Sequence, residues 1–127
     1  MRVRPVALTC ASVLLAACGS STAPSSQPPA AESPYQMVIS PSGVLTPSEI
    51  TIPIGSRVLF VNNHSRPHQM ASDPHPEHSD CPEMDPIGIL APGQRRETSN
   101  FVTVRTCGVH DHEDSANKSL WGRIIIR

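Results

Sequence analysis

Apolar and polar positions alternate in short runs from residue 36 to the end of this 127-residue chain. Residues 36–40 and 49–53 alternate with a period of two, as strands with one buried face do. Residues 57–61 are mostly apolar on both faces, which is typical of an interior strand. Further short runs lie at 68–71, 87–90, 102–106 and 123–126, mostly separated by glycine or proline. No helical period of the usual length accompanies them, so the pattern predicts an all-β fold, a small antiparallel β-sandwich.

The N-terminal segment has the features of an export signal. Residues 1–17 begin with Arg2 and Arg4 and continue as an apolar run that is too short to remain as a membrane span, which predicts a signal peptide. The run ends in Leu15-Ala16-Ala17-Cys18, which resembles the lipobox of bacterial lipoproteins. That resemblance implies cleavage before Cys18, lipidation of Cys18 and a location in the bacterial cell envelope, anchored to a membrane and facing the periplasm or the exterior.

A polar linker separates this signal from the expected domain. Residues 18–34 are rich in Ser, Ala and Pro and offer little to bury, which predicts a disordered spacer before a folded domain at 35–127. Removing the signal takes away two of ten basic residues and leaves eight against eleven acidic ones. This mildly acidic balance disfavours a nucleic-acid partner. Export to an oxidising compartment also allows Cys81 and Cys107 to form a disulfide.

Metal-ligating side chains are concentrated in the second half of the chain. All six histidines lie between His64 and His112, and the segment 106–112 combines Cys107, His110 and His112. We expect this segment to be a loop between the last two strands. A thiolate with imidazoles is the donor set of a mononuclear copper site, and zinc competes for the same donors.

Three segments together resemble the cupredoxins, the plastocyanin and azurin group. They are Phe60 to Met70, Cys107 to His110, and Leu120 to Ile126. The resemblance implies a Greek-key sandwich that binds one copper ion through His68, Cys107 and His110. It also implies a monomer that passes single electrons to a redox partner protein. The position of the family's weak axial methionine is occupied here by Leu120.

A disulfide between Cys81 and Cys107 is incompatible with that copper site. The crosslink would contribute about 3 kcal/mol to the stability of a small secreted domain, and it would consume the thiolate. In this alternative the domain is a structural β-sandwich that binds no metal. The sequence leaves open whether Cys107 bonds to copper or to sulfur.

A copper carrier or store that passes metal to an oxidase is a further alternative. It would use His75, His78 and His112, and Cys81 and His112 are additional candidate ligands of the same or a second site. If the strand from His68 continued in one direction, His75 would begin about 20 Å away, so only a loop that doubles back could return Cys81 to the copper end. We expect no enzyme, because the sequence has no glycine-rich phosphate loop and no His-Glu-x-x-His motif.

Overall fold

The computed structural model describes residues 30–127, which form nine short strands. The strands are β1 (Gln36–Ile39), β2 (Leu45–Thr46), β3 (Glu49–Ile52), β4 (Leu59–Asn62), β5 (His68–Ser72), β6 (Ile89–Leu90), β7 (Arg95–Glu97), β8 (Arg105–Asp111) and β9 (Gly122–Ile126). Three 3-10 helices lie at Pro82–Ile87, His112–Asp114 and Lys118–Leu120. Within residues 30–127 no helix has the length and apolar character needed to cross a membrane.

The strands form two sheets that pack as a sandwich. One sheet has the order β2-β1-β4-β7, and the other has the order β3-β9-β8-β5-β6. The predicted all-β sandwich is therefore confirmed. Both sheets are mixed, because β1 pairs with β4 and β3 pairs with β9 in parallel, whereas the sequence pattern predicts antiparallel pairing. Parallel partners are distant along the chain, and a local pattern does not identify them.

The core lies between the inner faces of the two sheets. Alternate residues of β1 and β9, Met37 and Ile39 on one strand and Ile124 and Ile126 on the other, are almost fully buried. This is the consequence of the period-two pattern, since successive side chains of a strand point to opposite faces. The largest buried side chains include Phe60, Phe101, Met70, Met84, Ile87, Leu90 and Leu120. Burying each contributes about 1.5–3 kcal/mol through apolar area removed from water.

The segment that contains Cys107 is a strand and not a loop, which corrects the prediction. Residues 107–111 belong to β8, where Cys107 pairs with Ile124 of β9 and His110 pairs with Ala71 of β5. Its histidine and aspartate suggest a solvated loop, yet most of its side chains are buried. The physical reason is that a neighbouring segment covers the outer face of β8, so polar side chains of a central strand are also enclosed.

The N-terminal predictions fall mostly outside the described residues. The signal peptide at 1–17, the lipidation site Cys18 and most of the linker 18–34 precede residue 30. They stay predictions from the sequence.

Candidate metal centre

The segment 73–81 doubles back over β8. The Asp80 backbone N–H donates to the Asp73 carbonyl at 2.9 Å, and the His78 N–H donates to the Pro74 carbonyl at 2.7 Å. A disulfide between Cys81 and Cys107, with the two Cα atoms 5.9 Å apart, fastens the end of this segment to β8. We name residues 73–81 the histidine loop, because the closed path places His75 and His78 beside the end of β8.

Three imidazoles meet there, and we name His75, His78 and His112 the histidine cluster. One ring nitrogen of each residue lies within 4.8 Å of the others. The ring centroids are 5.6 Å apart for His75 and His78, 5.0 Å for His75 and His112, and 4.7 Å for His78 and His112. Such a set of imidazoles suits Cu, Zn or Ni, because neutral imidazole is a ligand for each of them.

The surroundings of His78 favour the neutral form of its imidazole, which is the form that binds metals. Burial lowers the pKa of the His78 imidazole, and the neighbouring imidazoles of His112, His110 and His75 lower it further. Only the Asp85 carboxylate acts in the opposite direction. A lowered pKa means less competition from protons for the ring nitrogen near neutral pH.

His110 adjoins the histidine cluster from β8. Its ring centroid lies 5.4 Å from that of His75 and 5.2 Å from that of His78, and the residue is 3% exposed. Nδ1 of His110 lies 2.7 Å from Oδ1 of Asp73. A carboxylate in this position orients an imidazole and selects its tautomer.

Gly108 makes room for that carboxylate. A Cβ atom at position 108 would lie 1.8 Å from Oδ2 of Asp73, which is far inside van der Waals contact. The absence of a side chain therefore allows Asp73 to cross β8 and reach His110. A cavity of about 550 Å³ is lined by Asp73, His75 and His110 on this side of the cluster.

Of the predicted copper ligands His68, Cys107 and His110, the structure excludes the Cys107 thiolate, and His68 and His110 stay predicted ligands. Cys107 is bonded to Cys81, so neither sulfur is available as a thiolate ligand. Side chains alternate along β8, and Cys107 faces the core while His110 lies on the opposite face. The family's type-1 copper set therefore does not fit the residues that this chain provides. Leu120, at the predicted axial position, is buried in the core.

His68 has a different partner. Its Nδ1 lies 2.7 Å from Oδ2 of Asp111, the β8 residue that reaches it, and both residues are almost fully buried. Oδ1 of Asp111 accepts from the backbone N–H groups of Gln69 at 3.0 Å and Glu113 at 3.3 Å. Nε2 of His68 lies 2.7 Å from Nδ1 of His64. These contacts form a hydrogen-bonded chain from Asp111 through His68 to His64.

The sequence names all three residues of the cluster, but only in the copper-carrier alternative, and His112 alone is also a candidate ligand of the predicted copper site. Asp73 and Gly108 were not selected at all. Two histidines three residues apart, His75 and His78 in the segment 73–78, are the sequence feature that could have indicated a metal site here. Their convergence with His112 depends on the fold of the histidine loop, which spacing does not determine.

This protein is an all-β sandwich with imidazoles gathered on one face. Comparison with solved structures identifies its fold. A purple cupredoxin from Nitrosopumilus maritimus superposes with a TM-score of 0.55 at 18% identity, covering 73% of this chain and 99% of that one. Amicyanin from Paracoccus versutus gives a TM-score of 0.55 at 16% identity, covering 73% of this chain and 80% of that one. A Cu(I) form of an amicyanin mutant gives 0.57 at 13% identity, covering 76% and 85%.

These likenesses show that the chain has a cupredoxin-like fold, which confirms the resemblance seen in the sequence. No protein-family model and no curated protein sequence matches the chain. At such low identities the functional residues must be assigned from this chain alone.

Proposed function

We propose that this protein binds copper through the histidine cluster and serves as a copper carrier or store outside the cytoplasm. The observation that carries the proposal is the convergence of His75, His78 and His112, whose ring nitrogens lie within 4.8 Å of one another. The lowered pKa of His78 supports it, since the neutral ring is the form that binds a metal.

The ligand chemistry favours this function over single-electron transfer at a blue copper site. A blue site requires a cysteine thiolate with two histidines, and Cys81 and Cys107, the two cysteines of the predicted domain, are joined in a disulfide. An imidazole set without thiolate suits Cu(II), which binds such donors more tightly than the other divalent first-row metals do. Solved structures with the same fold include a copper protein in its Cu(I) form.

We also propose that the protein is a lipoprotein that acts beside a membrane. The lipobox at Cys18 and the preceding apolar run support the anchor. A disulfide in the domain is consistent with an oxidising compartment. The partner we envisage is a protein that receives copper from the cluster.

Competition titration with a copper chelator tests the function. The wild-type chain should bind one Cu(II), and His75→Ala, His78→Ala and His112→Ala should each lower the affinity about tenfold or more, since each removes a ligand. His64→Ala is the matched control, because His64 contacts His68 and lies outside the histidine cluster.

Equal affinities in all four variants would contradict the proposal. A parallel Zn(II) titration decides the metal. Binding of Zn(II) more tightly than Cu(II) would replace copper by zinc as the metal of this site.

A further inference from the structure

Nε2 of His110 is a buried polar atom that has no hydrogen-bond partner among residues 30–127. Buried polar side-chain atoms are paired in the large majority of cases, and leaving one unpaired costs about 1–3 kcal/mol. A strand residue that is 3% exposed cannot swing out to reach bulk water. A ligand at Nε2 would satisfy this atom.

The Asp73 carboxylate determines what Nε2 can offer. Oδ1 of Asp73 lies 2.7 Å from Nδ1 of His110, and a carboxylate in this place accepts a hydrogen bond from Nδ1–H, so the neutral ring carries its lone pair on Nε2. A ring with this tautomer is a metal ligand, and a carboxylate behind the opposite nitrogen is the usual support of a metal-bound histidine. Gly108 makes this contact possible, because the Cβ atom of any other residue at position 108 would displace the Asp73 carboxylate.

The His110 ring adjoins two rings of the histidine cluster, those of His75 and His78. The ring nitrogens that already lie within 4.8 Å of one another are those of His75, His78 and His112, so His110 would complete the set on metal binding. Its centroid is 5.4 Å from that of His75 and 5.2 Å from that of His78. With metal–nitrogen bonds of about 2.0–2.1 Å, imidazoles around one four-coordinate ion have ring centroids about 5 Å apart. The separations within the cluster, 4.7 to 5.6 Å, fall in the same range.

We propose that His110 is the fourth ligand of the metal, bound through Nε2, and that Asp73 is its positioning residue. The inference rests on the proposed function of the histidine cluster and deepens it. His110 is fixed in the central strand β8, whereas His75 and His78 lie on the histidine loop and His112 begins a 3-10 helix. His110 thus lies in an interior strand of the five-stranded sheet, whereas the three other imidazoles lie on the segments beside it.

Four protein ligands have a functional consequence. Catalytic metal sites keep a coordination position open for water or substrate, whereas saturated sites hold the ion. A site with four imidazoles is therefore suited to carriage or storage of copper.

Pulsed EPR of the full chain loaded with Cu(II) tests the inference, because it counts the coordinated imidazoles. The wild type should show four, and His110→Phe, which preserves an aromatic ring in the buried position, should show three. The copper affinity of His110→Phe should fall about tenfold or more. Asp73→Asn should keep four imidazoles but lower the affinity about 10–100-fold, and Asp73→Glu should restore part of it.

The outcomes separate this inference from the proposed function. If the wild type binds no copper, the proposed function fails. If His110→Phe binds copper with the same affinity and imidazole count as the wild type, His110 is not a ligand while the function stands. If His110→Phe does not fold, Asp73→Asn decides, since wild-type affinity in that variant overturns the role of the Asp73–His110 pair.

Discussion

Position 108 of β8 tolerates no side chain in the observed arrangement. The Asp73 carboxylate occupies the space where a Cβ atom would lie, and from there it reaches His110. Glycine is thus required at this position by close approach, whereas its backbone conformation is ordinary for a strand.

Gly108→Ala should lower copper affinity about 10–100-fold, because the displaced Asp73 no longer orients His110. The chelator titration measures this loss, and Thr106→Ala, an exposed position on the same strand, serves as control. Wild-type affinity in Gly108→Ala would contradict the role assigned to Asp73.

The sequence indicated which residues have metal-ligating side chains, but it did not indicate which residues those side chains contact in the fold. The sequence singled out His68, Cys107 and His110 because thiol and imidazole are copper ligands. Their partners depend on the alternation of side chains and on strand register, which place Asp111 beside His68 and Cys107 beside Cys81. A one-residue difference along a strand reverses the face to which a side chain points, so ligand type alone could not define the site.

At the scale of elements, the site depends on how the histidine loop is fastened. Hydrogen bonds close the loop on itself, since Ser72 Oγ donates to the His78 carbonyl at 2.8 Å and accepts from the Cys81 N–H at 3.2 Å. The disulfide then joins the end of the loop to β8, at a sequence separation of 26 residues. Two residues of the cluster lie on this loop, so under the proposed function its closure is a condition for metal binding.

Replacing both cysteines, Cys81→Ser with Cys107→Ser, should destabilise the domain by about 3 kcal/mol, since the crosslink limits the freedom of the unfolded chain. Copper affinity should fall as well, because the histidine loop is no longer attached to β8. Denaturant unfolding of the metal-free protein and copper titration at low temperature measure the two effects. Unchanged affinity in a folded double variant would show that hydrogen bonds alone hold the loop.

Most strands lie close to the apolar runs of the sequence, and two do not. β1, β3, β4, β5 and β9 lie almost where those runs indicate. β2 has two residues, and β7 consists of Arg95, Arg96 and Glu97, so neither shows an apolar pattern. The sequence predicts a strand over 102–106 that ends before Cys107, because the histidine and aspartate that follow resemble a solvated loop; β8 instead spans Arg105–Asp111, and tertiary contacts bury these side chains.

At the scale of the molecule, a rigid sandwich presents the histidine cluster on the outer face of the five-stranded sheet. The cupredoxin-like fold is thus combined with a histidine cluster, and its cysteines form a disulfide in place of the thiolate site expected from the resemblance. A cavity of about 550 Å³ beside the cluster would, under the proposed function, leave a bound metal accessible to a receiving protein.

The predicted membrane attachment concerns the whole chain and is tested separately. Cys18→Ser should move the protein from the membrane fraction to the soluble fraction of the cell envelope, because the lipid-bearing residue is lost. Fractionation followed by immunodetection measures the change, and Ser20→Ala is the control. Retention of the Cys18→Ser variant in the membrane fraction would contradict the lipid anchor.

The absorption spectrum of the Cu(II)-loaded protein tests the central claim most directly. Copper held by imidazoles alone should give only weak colour, since the intense absorption of blue and purple sites comes from a copper–thiolate bond. The account predicts one bound Cu(II) per chain with a weak visible band. An intense blue or purple colour would show that Cys107 ligates the metal as a thiolate, and it would contradict both the disulfide and the imidazole site.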